Sequence, residues 1–198
     1  MKPLILFLSL AICLICSAET VTYEYKDNNG GINKLNALLR LPEGSGKKKA
    51  IVILHHSGGF SKGTTTQYAD FFVSKNFVTI EPIIFSGKSI PYEDAIPQVF
   101  ATLDYLSNRD EVLQQDISLM GLSYGGLLTT IAATDWANKK YSSEGKKFKR
   151  FAPLYSLCWV GTRFITRNTS SKSRGLSEFF PDDFMDKWVG APMLILSG

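Results

Sequence analysis

Two short strand-like runs, Val21–Lys26 and Lys34–Leu41, flank the turn-forming stretch Asp27-Asn28-Asn29-Gly30-Gly31, a pattern that predicts a β-hairpin. Pro42–Lys49, rich in Gly, Ser and Lys, reads as a surface loop, and Ala50–Leu54 is a continuous apolar run of the kind found in parallel strands covered on both faces. That run ends in His55-His56-Ser57-Gly58-Gly59. Thr64–Thr66 are placed to cap a helix with Tyr68, Phe71 and Phe72 on one face. Phe77–Ile80 reads as the next strand and Glu81–Pro91 as a loop. Ala95, Val99, Leu103 and Leu106 then recur at helical spacing, with Pro97 expected in the first turn, where a missing N–H costs nothing.

A second apolar run, Ile117–Met120, leads into Gly121-Leu122-Ser123-Tyr124-Gly125, after which Leu128, Ile131, Ala132 and Trp136 mark one face of a helix. Phe151–Leu157 reads as a strand, Thr162–Val189 as a mixed insertion, and Met193–Ser197 as one more buried strand. Strand and helix alternate from residue 50 onward, which predicts a doubly wound, mostly parallel α/β sheet in one domain, 19–198. No internal repeat is visible.

Composition narrows the class without naming a function. The 198 residues are 44% hydrophobic and 20% charged, the balance of a globular domain with a sizeable core. Lys and Arg number 22 against 18 Asp and Glu, and a net charge of +4 spread this thinly does not predict a nucleic-acid partner. The densest basic run, Lys139–Arg150, reads as a solvated helix end and loop.

Residues 1–18 read as a secretory leader: Lys2 supplies the positive start, Leu4–Ile15 the apolar stretch, and Cys16-Ser17-Ala18 a small-residue cleavage site before Glu19. No other stretch nears the roughly 20 apolar residues of a membrane span, so no membrane attachment is expected after cleavage, and a secreted or periplasmic protein is. Cys158 would remain as the one mature cysteine, either a buried small hydrophobe or half of a bridge whose partner lies outside these 198 residues. Asn168-Thr169-Ser170 has the form of a glycosylation acceptor.

The chemistry concentrates at Ser123. A strand, a sharp turn and a helix around Gly-x-Ser-x-Gly form a nucleophile elbow, in which Gly121 and Gly125 let the flanking backbones approach closely. Ser123 would stand at the carboxyl edge of the sheet, with Tyr124 N–H at a helix amino terminus facing any negative charge that develops beside it.

With His55-His56-Ser57-Gly58-Gly59 after one strand and Asp116–Gly126 around the elbow, the chain resembles the α/β-hydrolase superfamily, and within it secreted dienelactone-hydrolase-like or prolyl-oligopeptidase-like proteins. The resemblance spans about residues 21–198. It implies that the loop after the first parallel strand supplies half of an oxyanion hole, with Ser57 N–H the leading candidate and Gly58 next, while Tyr124 N–H supplies the other half. His56 stands where the family usually has glycine, and the elbow carries serine where dienelactone hydrolases proper have cysteine.

The expected activity is hydrolysis of small-molecule carboxylic esters through an acyl-enzyme on Ser123, without metal or organic cofactor; the alternatives are a peptidase and a non-catalytic binding scaffold. The family orders its triad Ser, acid, His. The two histidines, His55 and His56, both precede the serine, so triad acid and base are expected beyond residue 198, and the 198 residues alone are expected to be inactive. His55 reads as a loop-structuring residue or as a substitute base. Asp135, Asp182, Asp183 and Asp186 read as solvated charges. Residues 162–189 could roof the site as a cap, with Trp159, Phe164, Phe179, Phe180, Phe184 and Trp188 lining a pocket, or those aromatics could be core.

Overall fold

The computed structural model describes residues 18–61, 63–156 and 179–197. Six strands, β1 (Glu19–Lys26), β2 (Ile32–Arg40), β3 (Lys48–Leu54), β4 (Val78–Pro82), β5 (Val112–Leu122) and β6 (Arg150–Leu154), form one sheet in the order β1-β2-β4-β3-β5-β6. The four helices are α1 (Thr66–Ser74), α2 (Tyr92–Ser107), α3 (Tyr124–Ala132) and α4 (Asp135–Tyr141). The hairpin β1–β2 is antiparallel and joins β4 antiparallel, whereas β4, β3, β5 and β6 run parallel. This is the doubly wound, mostly parallel α/β sheet that the alternation of elements predicts.

Period-two alternation sorts the sheet's side chains into two cores. Ala50, Val52 and Leu54 of β3 pack with the larger cluster under α2, α3 and α4. Ile51 and Ile53 face the other way, into a smaller cluster with Ala69 of α1 and Met120 and Leu122 of β5. Covering both faces by helices is what allows β3 to be apolar at every position.

Several local expectations give way to tertiary context. Pro97 is the sixth residue of α2 and not in its first turn. Its missing N–H orphans the Glu93 carbonyl four residues back, and the hairpin turn supplies a substitute, Asn28 Nδ2 donating to Glu93 O at 2.7 Å. Thr65 caps α1 through its carbonyl, which accepts from Tyr68 N and Ala69 N, and not through its hydroxyl, which is buried without a partner. On α1 it is Ala69 that is buried, while Phe71 is 55% exposed.

Lys146 is not part of a solvated run. Its side chain is 9% exposed between Asp104, 3.3 Å away, and Glu144, 3.5 Å away. Asp182, Asp183 and Asp186 are exposed as expected, and Asp135 pairs with Lys139 one turn on.

The segment around Met193–Ser197 runs parallel to β6 through two bridges, Phe151↔Met193 and Leu154↔Leu196. It is not a buried strand: Leu194, Ile195 and Leu196 are 60%, 63% and 50% exposed at the sheet's edge. Of the aromatics in the insertion, Phe180 and Phe184 are buried against Trp136 of α4, with ring centroids 5.3 and 5.7 Å away. Val189 N donates to Ala133 O, so this segment packs at the carboxyl end of α3. Nine residues of helix put that end ~13 Å from Ser123, so Phe180 and Phe184 belong to the core and do not roof the elbow. Trp159, Phe164, Cys158 and Asn168 lie outside the described residues.

Candidate active site

Parallel register brings the functional loops to one edge. Leu54 of β3 pairs with Gly121 of β5, and Leu122 of β5 with Leu154 of β6. His55, Ser123 and Tyr155 therefore leave the sheet side by side, at its carboxyl end.

Ser123 sits between β5 and α3 with φ 52° and ψ −107°, a conformation a non-glycine residue rarely adopts. Such strain costs roughly 1–3 kcal/mol and persists only where the surroundings hold it. Here Ser123 N–H donates to Leu154 O at 3.0 Å, and Ser123 O accepts from Leu127 N at 3.0 Å. The backbone is thus fixed from the neighbouring strand on one side and the helix on the other, and Ser123 is left half-buried at the turn.

Close approach explains the glycines. A Cβ on Gly121 would lie 2.1 Å from Gly125 O, and one on Gly125 would lie 2.7 Å from His55 O. Gly126, which the motif alone does not single out, is equally constrained, since its Cβ would stand 2.9 Å from Leu154 O.

Tyr124 opens α3, so its N–H has no acceptor within the helix and lies at the helix's positive end. Its side chain is an anchor. The phenol donates to Ile90 O at 2.8 Å, stacks on Tyr92 with centroids 4.4 Å apart, and meets Phe85 edge-on at 5.2 Å. Burial, with Tyr92 and Glu93 nearby, pushes the phenol well above the ordinary tyrosine range, so it stays protonated and keeps donating.

The loop after β3 can be audited amide by amide. Gly58 N–H donates to His56 Nδ1 at 2.8 Å, Gly59 N–H to His56 O at 3.1 Å, and Phe60 N–H to Phe85 O at 3.2 Å. Ser57 N–H has no acceptor among the described residues, and Ser57 is exposed. Of the two candidate donors, Gly58 is already committed and Ser57 is free.

The histidines are fixed by the same bonds. A carbonyl only accepts, so the 2.9 Å contact between His55 Nδ1 and His56 O puts a proton on His55 Nδ1. His55 is 1% exposed, meets Phe85 edge-on at 4.6 Å, and its Nε2 is buried with no partner. Burial holds its pKa below the usual histidine value. Neither histidine is hydrogen-bonded to Ser123, and His55 structures the loop.

Among the described residues no three of His, Cys, Asp and Glu are grouped as a metal site would need, and no helix is long and apolar enough to cross a membrane. A cleft of about 530 Å³ lined by Gln114, Lys147, Lys149 and Pro192 lies near the start of β5. None of Ser57, Ser123 and Tyr124 lines it.

Solved structures share this fold. Est1E from Butyrivibrio proteoclasticus superposes with a TM-score of 0.60 at 21% identity, covering 86% of this chain and 75% of that one. An esterase from Pyrobaculum calidifontis gives 0.57 at 18% identity, covering 72% and 45%. A hypothetical protein from Pseudomonas aeruginosa gives 0.54 at 20% identity, covering 79% and 49%. The chain has the α/β-hydrolase fold, and it spans about half the length of most of these structures. No protein-family profile matches it, and no curated protein does.

Proposed function

We propose that this protein is an exported serine hydrolase acting on small carboxylic esters, with Ser123 as nucleophile and Ser57 and Tyr124 N–H groups as oxyanion donors. The observation that carries the reading is Ser123 held at φ 52° on the strand–helix turn, beside the unpaired amide of Tyr124. Strain retained at a half-buried serine on a strand–helix turn is the signature of a built nucleophile. That solved structures of the same fold are described as esterases supports an ester over a peptide substrate.

In the reaction, Ser123 Oγ attacks the acyl carbon as its proton passes to a base. The tetrahedral oxyanion accepts hydrogen bonds from the two amides, and collapse expels the alcohol and leaves an acyl-serine that water hydrolyses. Each aimed donor is worth ~10²- to 10³-fold in rate. Neither His55 nor His56 is that base as it stands, because both are engaged within their own loop.

Export is supported by the leader-like residues 1–18 and by β1 starting at Glu19, where the cleavage motif ends. A fluorophosphonate should phosphonylate Ser123 of the protein isolated from its host, Oγ displacing fluoride, so that the mass rises by that of the reagent less HF. Ser123→Ala should abolish the adduct and lower kcat on p-nitrophenyl acetate about 10⁶-fold, with peptide anilides turned over far more slowly than the ester in the unmodified protein. The engagement of both histidines favours one other reading, a non-catalytic scaffold. It requires no adduct and no effect of Ser123→Ala.

A further inference from the structure

We infer that His56 is a positioning residue, an imidazole clamp that shapes the loop 55–59 so that Ser57 N–H becomes its free oxyanion donor. The catalytic consequence rests on the hydrolase reading; the clamp itself does not.

Three observations converge on this residue, two of them on its side chain. A backbone N–H can only donate, so the 2.8 Å bond from Gly58 N to His56 Nδ1 fixes Nδ1 as the bare nitrogen and Nε2 as the protonated one. Side-chain acceptor at one residue and N–H two residues on is the pattern of an Asx turn, normally supplied by Asn or Asp. Imidazole Nδ1 stands as many bonds from the backbone as an asparagine Oδ1, and here it does the same work.

The glycine at 58 answers to the ring. Gly58 does not occupy the left-handed region, yet a Cβ there would lie 2.5 Å from His56 Cε1 and 2.9 Å from Nδ1. The space a side chain would fill is taken by the imidazole.

The carbonyl of His56 completes the clamp by accepting from Gly59 N at 3.1 Å and His55 Nδ1 at 2.9 Å. Two loop amides and one imidazole thus terminate on a single residue. A glycine at 56 would offer the carbonyl but no acceptor for Gly58, whose freed N–H would compete with Ser57 for any anion and loosen the turn.

The test pairs a structural and a kinetic reading on the intact protein. His56→Ala should speed hydrogen exchange at the Gly58 amide at least tenfold and lower kcat on p-nitrophenyl acetate ~10²-fold, with KM changed less than threefold. His56→Asn, whose amide oxygen restores the acceptor, should keep both within about threefold of the unmodified protein. Gly58→Ala should reproduce the His56→Ala loss, and the double variant should be no worse than either single one.

Equal Gly58 exchange in the unmodified protein and His56→Ala would overturn the clamp, as would a His56→Asn variant as impaired as His56→Ala. Hydrolysis lost in Ser123→Ala but untouched in His56→Ala would overturn the clamp's part in the oxyanion site and leave the hydrolase reading standing. Hydrolysis untouched in Ser123→Ala would sink the hydrolase reading and the kinetic role with it, while Gly58 exchange would still decide the clamp.

Discussion

His55 and Ser123 meet the same sheet edge under opposite constraints. Ser123 is strained and half-buried at the turn, whereas His55 has an ordinary backbone conformation and is sealed, with an Nε2 that has no hydrogen-bond partner. That burial makes a pH prediction. Native His55 titrates below 6.5 because desolvation penalises the imidazolium, while in the unfolded chain it titrates near 6.5. As pH falls below about 6.5 the unfolded chain binds a proton that the native state refuses, so the unfolded state gains. The contribution of neutral His55 is therefore full above that pH and is lost as pH falls through the depressed native value. The urea midpoint should drop between pH 7.5 and 5.5, and His55→Asn, which can still donate to His56 O, should flatten that drop; an unchanged slope would refute the assignment. The elbow was legible at this scale because each of its glycines answers to a backbone three or four residues away or to the strand beside it. The opposite tautomers of His55 and His56 were not, since they depend on the path of a loop packed against Phe85, some 30 positions on.

Among the elements, the sequence pattern located every strand of the sheet, and the errors share one cause. Pattern rules treat each element as if it met only water and its own core. Pro97 in mid-helix violates them because the compensating donor, Asn28, arrives from a hairpin 65 residues earlier, and Asn28 Oδ1 in turn accepts from Tyr141 of α4 at 2.8 Å. Thr65 offered a hydroxyl cap that the helix does not use, while Thr134 does cap α4, accepting from Ala137 N at 3.2 Å. The Asn28 bridge is open to a double-mutant cycle by urea denaturation. Asn28→Ala should cost about 1 kcal/mol, the net worth of a typical hydrogen bond. In a Pro97→Ala background the restored N–H returns Glu93 O to the helix ladder, and the cost should fall by about 0.5 kcal/mol or more. Additive costs would mean that Asn28 does not compensate for Pro97.

At the scale of the whole molecule, the antiparallel hairpin and the parallel sheet are joined through β2 and β4, where Arg40 is paired with Glu81 inside the fold and with Asp70 of α1 at 3.3 Å. The first strand is tied in as firmly. Glu19 pairs with Leu39, Val21 and Tyr23 are buried, and Tyr23 stacks on Tyr105 at 4.5 Å while its hydroxyl meets Thr102 at 2.7 Å. Residues that the sheet uses from Glu19 onward cannot also belong to a removable leader, so under the proposed export the leader ends no later than Ala18. Amino-terminal sequencing of the protein recovered outside the cytoplasm should therefore begin at Glu19. A mature start beyond Val21 would strip paired and buried residues from β1 and contradict the boundary, and a chain retaining Lys2 would contradict export by cleavage.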